Sequence, residues 1–173
     1  MVELIRSKVK LRADSSNYIE FEKCIEDLIK NENVQSMRNY IQHSSITCFE
    51  HSVYVSYTSY MVCRFLGLNY YAAARGGLLH DFFLYDWHVT KLEVGLHGFT
   101  HPDTALVNAN KFFCLSDMEK DIIAKHMWPL TAKLPRYKES IIVLFVDKYC
   151  ATMEILKLNK RTKFYEHVRT FFN

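Results

Sequence analysis

Apolar residues recur along most of this chain at intervals of three and four positions, the period of α-helices that pack one face on a core. Five glycines and three prolines are the main interruptions, and the chain contains no repeat, linker or low-complexity segment. We therefore predict an all-α protein, a compact helical bundle in which residues 1–173 form a single domain.

Helix boundary signals divide the chain further. Thr47 with Glu50, and Ser116 with Glu119, fit capping boxes, which satisfy main-chain N–H groups at a helix start. Gly67 suits the residue that follows a helix end. Before the doublet, the predicted helices cover 17–30, 34–42, 47–66 and 69–81, and a long aromatic loop follows over 82–100. A fifth helix is predicted to start at Pro102, a sixth to cover 116–126 and a seventh to start at Ser140. A terminal amphipathic helix is predicted over 159–172.

Polar residues of one chemical kind stand inside these apolar faces. Imidazole and carboxylate side chains, the ligands that hold Zn, Mn, Fe, Co or Ni, occur as an ordered series with a His-Asp doublet at its centre. The series is His51, His80, Asp81, His101, His126 and Asp147. A single histidine on an apolar face is more often a core residue bonded to a main-chain carbonyl, so the metal hypothesis depends on the six side chains converging.

Asp147 gives the clearest reason to expect a cation. Its neighbours at helical spacing are apolar or nearly so: Val143, Leu144, Cys150 and Ala151. A buried carboxylate needs a cation, hydrogen-bond donors or a proton, and the adjacent Lys148 is predicted to point elsewhere. A metal ion is the simplest solution.

Helical spacing also directs other members of the series inward. His51 begins a stripe that continues through Tyr54, Val55, Thr58, Met61, Val62 and Phe65. Asp81 continues the face of a helix that contains Gly76-Gly77, and each glycine there costs roughly 1 kcal/mol relative to alanine, which suggests that another backbone comes close. His101 is expected at a helix N-terminus, where the dipole favours the neutral imidazole that a metal requires.

Charge and cysteine content bear on location and partners. The net charge of +3 permits an anionic substrate and does not require nucleic acid. Five scattered cysteines without CxxC spacing, and no signal-peptide pattern at the start, fit a reduced cytoplasmic protein. Apolar runs such as 141–146 are too short to cross a bilayer, so no membrane association is expected, and the oligomeric state is left open.

Five segments carry the histidine and aspartate series: FEHSVYVSY, GGLLHDFF, FTHPDTAL, IIAKHMWPL and LFVDKYC. Their order, H…HD…H…H…D, resembles the HD-domain superfamily of metal-dependent phosphohydrolases, and in particular the subgroup that binds two metals. The resemblance extends over roughly residues 40–155, most of the chain.

The resemblance implies a fold, a metal site and a reaction. The fold would be the HD-type helical bundle, and the doublet of His80 and Asp81 would form the catalytic centre. A first divalent transition metal would be held by His51, His80, Asp81 and Asp147, and a second by His101, His126 and the bridging Asp81. Water between the two ions would lose its proton and attack a phosphomonoester or phosphodiester, such as a nucleotide or another small phosphate ester.

The chain departs from the two-metal pattern directly after the doublet. Many members continue as HDIGK, where the lysine contacts phosphate, but here Phe82-Phe83-Leu84-Tyr85 follows. The aromatic residues of this loop could stack on a base or pack on the core. Positive or polar contacts to a substrate would then have to come from elsewhere, and the candidates are His43, Lys91, Lys133 and Arg136.

Two other functions share the same ligand set. HD-fold di-iron oxygenases, which activate O₂ and cleave C–C or C–P bonds, also use histidine and carboxylate ligands. A non-catalytic domain could instead bind a metal or a nucleotide as a sensor. The leading expectation is a metal-dependent hydrolase of phosphate esters.

Overall fold

The computed structural model describes residues 15–43, 45–90 and 95–158. Within these ranges the chain forms seven α-helices, one 3-10 turn and one short hairpin. In chain order the elements are α1 (Ser15–Ile29), α2 (Glu32–Ser36), the 3-10 turn (Met37–Asn39), β1 (Ile41–His43), β2 (Ile46–Thr47), α3 (Cys48–Phe65), α4 (Tyr70–Leu79), α5 (His97–Phe112), α6 (Asp117–Lys125) and α7 (Lys138–Ile155). The predicted all-α fold class is confirmed.

The central helices α3 and α4 pack on one another, and α7, α6 and α1 surround them. The core between them is rich in aromatic side chains, and its largest fully buried members include Tyr54, Tyr60, Phe21, Phe49 and Phe82. The predicted inner stripe of α3 is buried at its start, but its last residue, Phe65, is 83% exposed because it lies at the end of the helix, beyond that core.

Both predicted capping boxes are present. The Thr47 hydroxyl accepts from the Glu50 main-chain N–H at 3.1 Å, and the Glu50 carboxylate accepts from the Thr47 N–H at 3.0 Å. Ser116 and Glu119 form the same pair of bonds at the start of α6. Each cap contributes about 1 kcal/mol to helix stability, and together they fix where α3 and α6 begin.

The two adjacent glycines of α4 allow close packing, as the sequence predicted. A Cβ atom on Gly77 would lie 2.9 Å from the Cα of Ser56, and one on Gly76 would lie 2.8 Å from the Ile122 side chain. The Ser56 hydroxyl donates to the Ala74 carbonyl at 2.6 Å across the same contact. The backbones of α3 and α4 therefore approach at a distance that only glycine permits, and this brings the start of α3 beside the doublet at the end of α4.

An ionic network around the buried Arg75 holds α4 from its other side. The Arg75 guanidinium donates to Glu119 on α6 at 2.6 Å and to Asp27 on α1 at 2.5 Å. Burial alone would lower the pKa of Arg75, but its two carboxylate partners raise it, so the guanidinium stays charged. The network links three helices at fixed distances and so helps to orient α4.

Two boundaries differ from the sequence prediction by more than two residues. The helix predicted over 34–42 ends at Ser36, and the chain then forms the 3-10 turn and the β1–β2 hairpin. The prediction was wrong because local apolar spacing does not include the tertiary bonds here: the Cys48 N–H donates to the Tyr40 carbonyl at 2.8 Å, and Gln42 is buried against Asp81.

Helix α5 begins at His97 rather than at Pro102, so the proline lies inside the helix. Because Pro102 lacks an N–H, one main-chain bond is lost. His101 therefore lies in the second turn, and the predicted effect of a helix N-terminus on its imidazole is weaker than expected.

Other expectations concern termini, thiols and membranes. The terminal helix predicted over 159–172 lies outside the described residues. Four of the five cysteines are buried as free thiols, and Cys114 is exposed. In the part of the chain that the structure describes, no helix is both long and apolar enough to pass through a bilayer.

Candidate metal centre

The six residues of the histidine and aspartate series converge in one cluster. His51 lies in the first turn of α3, the His80-Asp81 doublet directly follows α4, and His101 lies in α5. His126 ends α6, and Asp147 lies near the middle of α7. All six side chains are buried, although they come from five different helices.

The carboxylate of Asp81 lies at the centre of this cluster, and its two oxygens face different partners. Oδ2 lies 3.3 Å from His80 Nε2 and 3.9 Å from His51 Nε2. These two nitrogens also lie 3.6 Å and 3.1 Å, respectively, from Asp147 Oδ1. Together they form the first ligand group, which is His51, His80, Asp81 and Asp147.

The other oxygen of Asp81 faces a second ligand group. Oδ1 lies 3.2 Å from His101 Nε2 and 3.6 Å from His126 Nε2. The two imidazole nitrogens are themselves 2.8 Å apart. Asp81 thus belongs to two sets of atoms that are each close enough together to surround one ion, one with His51 and His80 and the other with His101 and His126. A further set, His80, His126 and Asp147, joins the two groups.

Main-chain carbonyls fix the orientation of three of the imidazoles. Nδ1 of His80 lies 2.8 Å from the Gly77 carbonyl, and Nδ1 of His101 lies 2.8 Å from the His97 carbonyl. Nδ1 of His126 lies 2.9 Å from the Ile123 carbonyl. A carbonyl can only accept, so each Nδ1 carries a proton and each ring directs Nε2 to the cluster, where a neutral ring offers a lone pair.

This arrangement fits a bound cation. With both Nδ1 atoms protonated, the Nε2 atoms of His101 and His126 face each other at 2.8 Å, and two lone pairs at this distance would be unfavourable unless a positive ion or a proton lay between them. Burial, with neighbouring His80 and His101, lowers the pKa of His126 to about 3, so it stays neutral near pH 7. In the described part of the chain, the buried Nε2 of His80 has no hydrogen-bond partner.

In the first ligand group, histidines and carboxylates shift the pKa values of one another. Burial lowers the pKa of His80, but Asp81 and Asp147 outweigh it and raise that pKa to about 9. Burial also lowers the pKa of His51, but Glu154 and Asp147 outweigh this effect and raise the pKa well above the usual value. Burial would raise the pKa of Asp81, but His80 and His101 hold it well below its usual range. A metal ion would replace these protons as the counter-charge of the carboxylates.

Glu154 belongs to the site, although the sequence analysis did not select it. Its carboxylate lies 2.9 Å from Nδ1 of His51, and both side chains are fully buried. A carboxylate on the outer nitrogen of a histidine orients the ring and makes its inner nitrogen a stronger ligand. The signal was present in the sequence, because Glu154 follows Asp147 by two helical turns and therefore shares its face.

Gln42 and Cys48 hold the doublet from the opposite side and were also not selected. The Gln42 side chain donates to Asp81 Oδ2 at 2.6 Å, and the Cys48 thiol donates to the Asp81 carbonyl at 3.3 Å. Both depend on the hairpin before α3, which local periodicity did not predict. These bonds restrict the rotation of the central carboxylate.

The four candidate substrate residues have different positions. His43 is half-buried, and its ring centre lies 5.3 Å from that of His51, next to the first ligand group. Lys133 is exposed and pairs with Asp103. Arg136 is exposed and helps to line a separate surface cavity of about 280 Å³ between α6 and the start of α7. Lys91 lies outside the described residues.

Lys148 contradicts the prediction that it points away from the cluster. Its ammonium lies 3.9 Å from Asp147 Oδ2 and donates to the His126 carbonyl at 3.1 Å. The four-carbon side chain curves along α7 toward the end of α6, where that carbonyl has no partner within its own helix. Sequence spacing alone could not show where α6 ends.

The aromatic segment after the doublet packs mainly inward. Phe82 and Phe83 are buried, and the Asn108 side chain donates to both of their carbonyls, at 3.0 Å and 3.2 Å. Trp87 stacks on His97, with ring centres 5.1 Å apart. The packing alternative therefore describes most of this segment, whereas Phe99 is 47% exposed.

Fold and site together define an all-α protein with a buried cluster of histidine and aspartate side chains that could hold metal ions. No family model, curated protein or solved structure matches the chain.

Proposed function

We propose that this protein is a metal-dependent phosphohydrolase of the HD-domain type, a phosphomonoesterase or phosphodiesterase for a nucleotide or another small phosphate ester. The observation that carries the proposal is the shared carboxylate of Asp81, whose two oxygens face two different pairs of imidazole nitrogens. A carboxylate shared in this way is the usual bridge between two divalent ions that act together on a phosphoryl group.

The donor types support transition metals. In the first group His51 and His80 supply nitrogens, and Asp81 and Asp147 supply oxygens. In the second, His101 and His126 supply nitrogens that share Asp81. Imidazole with carboxylate suits Mn, Fe, Co, Ni or Zn better than Mg or Ca, which prefer oxygen ligands.

Each part of this chain then has a defined task. Bound divalent ions would supply Lewis acidity toward phosphoryl oxygens and a nucleophile from water. Asp81 and Asp147 balance the positive charge, and the carbonyl bonds of three histidines hold their rings so that Nε2 faces the cluster. Burial of the cluster lowers the local dielectric and so strengthens these electrostatic interactions.

The cysteines near the cluster do not offer a competing nucleophile. Burial, with Asp81 nearby, raises the pKa of Cys48 well above the usual value for a thiol. Burial also raises the pKa of Cys150, with Glu154 and Asp147 adding to the effect. Both thiols stay protonated near pH 7 and are poor nucleophiles, which favours water as the attacking group.

Replacement of the central carboxylate tests the proposal. Asp81→Asn keeps the size of the side chain but removes the charge that two ions would share. We expect metal content to fall and phosphoester turnover to drop by at least about a hundredfold, with the helical circular dichroism spectrum retained. The control is Glu26→Gln, which removes an exposed carboxylate paired with Lys30 on α1 and should change neither quantity.

Turnover that is unchanged in Asp81→Asn would contradict the proposal, as would a metal-loaded protein that is inert on a broad panel of phosphate esters. Two irons with a mixed-valence spectroscopic signal would favour an oxygenase instead. A protein that loses its thermal stability with its metal, and that turns over no substrate, would favour a sensor.

A further inference from the structure

Lys148 brings a positive charge to the edge of the metal cluster. Its Nζ atom donates to the His126 carbonyl at 3.1 Å and lies 3.9 Å from Asp147 Oδ2. It therefore contacts residues from both ligand groups, His126 at the end of α6 and Asp147 on α7. The cluster's carboxylates alone would repel an anion, so a cation at its edge changes what can approach.

This edge is also the one nearest to solvent. The side chain of Asp147 is 11% exposed, and those of the other five members of the cluster are 5% exposed or less. The Lys148 side chain is 43% exposed, so its ammonium lies between the buried cluster and water. A small anion that enters beside Asp147 would meet Lys148 on its way.

The Lys148 ammonium has more N–H donors than its contacts in the structure use. It carries three N–H groups, and one is used by the His126 carbonyl. The separation of 3.9 Å from Asp147 is longer than a hydrogen bond, so that pair is held by charge alone. Among the described residues the ammonium makes no second hydrogen bond, so two N–H groups are available to an oxyanion.

We infer that Lys148 is the phosphate contact of this site and holds a phosphoryl oxygen of the substrate at the Asp147 edge of the cluster. The inference rests on the proposed function and adds to it the residue that recognises the anionic group. The segment directly after the doublet, 82–85, contains no basic side chain, so the charge must come from another element.

A structural role for Lys148 makes different predictions. A lysine at the end of a helix stabilises it by bonding the last carbonyls and by interacting with the helix dipole. If Lys148 only caps α6, its loss would disturb His126 and therefore metal binding and thermal stability. A phosphate contact would instead change anion affinity while metal content and stability stay the same.

The test measures the binding of inorganic phosphate by isothermal titration calorimetry. The protein is loaded with Mn²⁺ and freed of excess ion before phosphate is added. Three variants are compared with the wild type: Lys148→Gln, Lys148→Arg and Lys138→Gln. Lys138 is a matched control, since it is an exposed lysine in the first turn of the same helix.

We expect Lys148→Gln to weaken phosphate binding about tenfold or more, because a charge-assisted hydrogen bond is lost. Lys148→Arg should stay within about threefold of the wild type, since a guanidinium also donates to phosphate oxygens. Lys138→Gln should bind phosphate like the wild type. Manganese content and the melting temperature should be the same in all four proteins.

The inference is overturned if Lys148→Gln binds phosphate as tightly as the wild type, if the variant loses its manganese, or if the loaded wild type does not bind phosphate. Failure of the proposed function gives a different result. A wild type that binds phosphate through Lys148 but hydrolyses no ester would refute the hydrolase and leave the anion contact in place.

Discussion

At the scale of single residues, the cluster depends on which nitrogen of each histidine carries the proton. Three rings are fixed by main-chain carbonyls that their own helices supply within three or four residues. This is the bond that a core histidine commonly makes, and it is also the bond that prepares a metal ligand. A core histidine and a metal ligand can therefore make the same bond through Nδ1. They differ in whether Nε2 lies beside other ligand atoms, as it does in this cluster.

His51 is the exception, because its outer nitrogen faces Glu154 instead of a carbonyl. We predict that Glu154→Gln weakens metal binding by about 10–100-fold. An amide can still orient the His51 ring, but it no longer raises the basicity of the imidazole as a carboxylate does. A competition titration against a chromophoric chelator measures the change. The control, Glu26→Gln, removes an exposed carboxylate paired with Lys30 on α1 and should leave affinity unchanged. If Glu154→Gln and the wild type bound metal with equal affinity, Glu154 would have no role in metal binding.

At the scale of elements, the contact between α3 and α4 places the doublet beside His51. We predict that Gly77→Ala destabilises the protein by about 1–3 kcal/mol, because the new Cβ would lie 2.9 Å from a main-chain atom of Ser56. Urea denaturation followed by circular dichroism measures the free energy of unfolding.

Gly98→Ala is the matched control for that substitution. Its Cβ would lie 3.4 Å from a Leu130 methyl group, an ordinary contact, and alanine is the better helix former in α5. The free energy of unfolding should therefore stay level or rise by up to about 1 kcal/mol. A similar loss of stability in both variants would mean that the close approach of α3 and α4 is not what requires glycine.

The elements also show what the sequence can predict. The starts of α3 and α6 were predictable because a capping box lies within four consecutive residues. The β1–β2 hairpin was not, since Gln42 finds its partner on Asp81, far along the chain. Likewise, Pro102 suggested a helix start, but local rules could not show that α5 would continue back to His97.

At the scale of the whole molecule, five helices each bring ligands to one point, and the ordered series of six predicted that meeting. Periodicity predicted the inward direction of His51, Asp81 and Asp147, whereas His101 was expected at a helix start that the structure places four residues earlier. Lys148 reaches the cluster from outside the predicted helix faces, and the prediction that it points elsewhere was wrong. Its position depends on how the helices pack, which periodicity does not show. Glu154 could have been found, since it shares the face of Asp147.

The central claim is that Asp81 lies between two metal ions, and anomalous diffraction from crystals of the protein as purified tests it most directly. Data collected at the absorption edges of Mn, Fe, Co, Ni and Zn give both the number and the identity of the ions. We predict two anomalous peaks about 3.5–4 Å apart on either side of the Asp81 carboxylate. One peak should lie beside His51, and the other beside His101. Crystals without an anomalous peak at Asp81, or with only a single ion, would contradict the account.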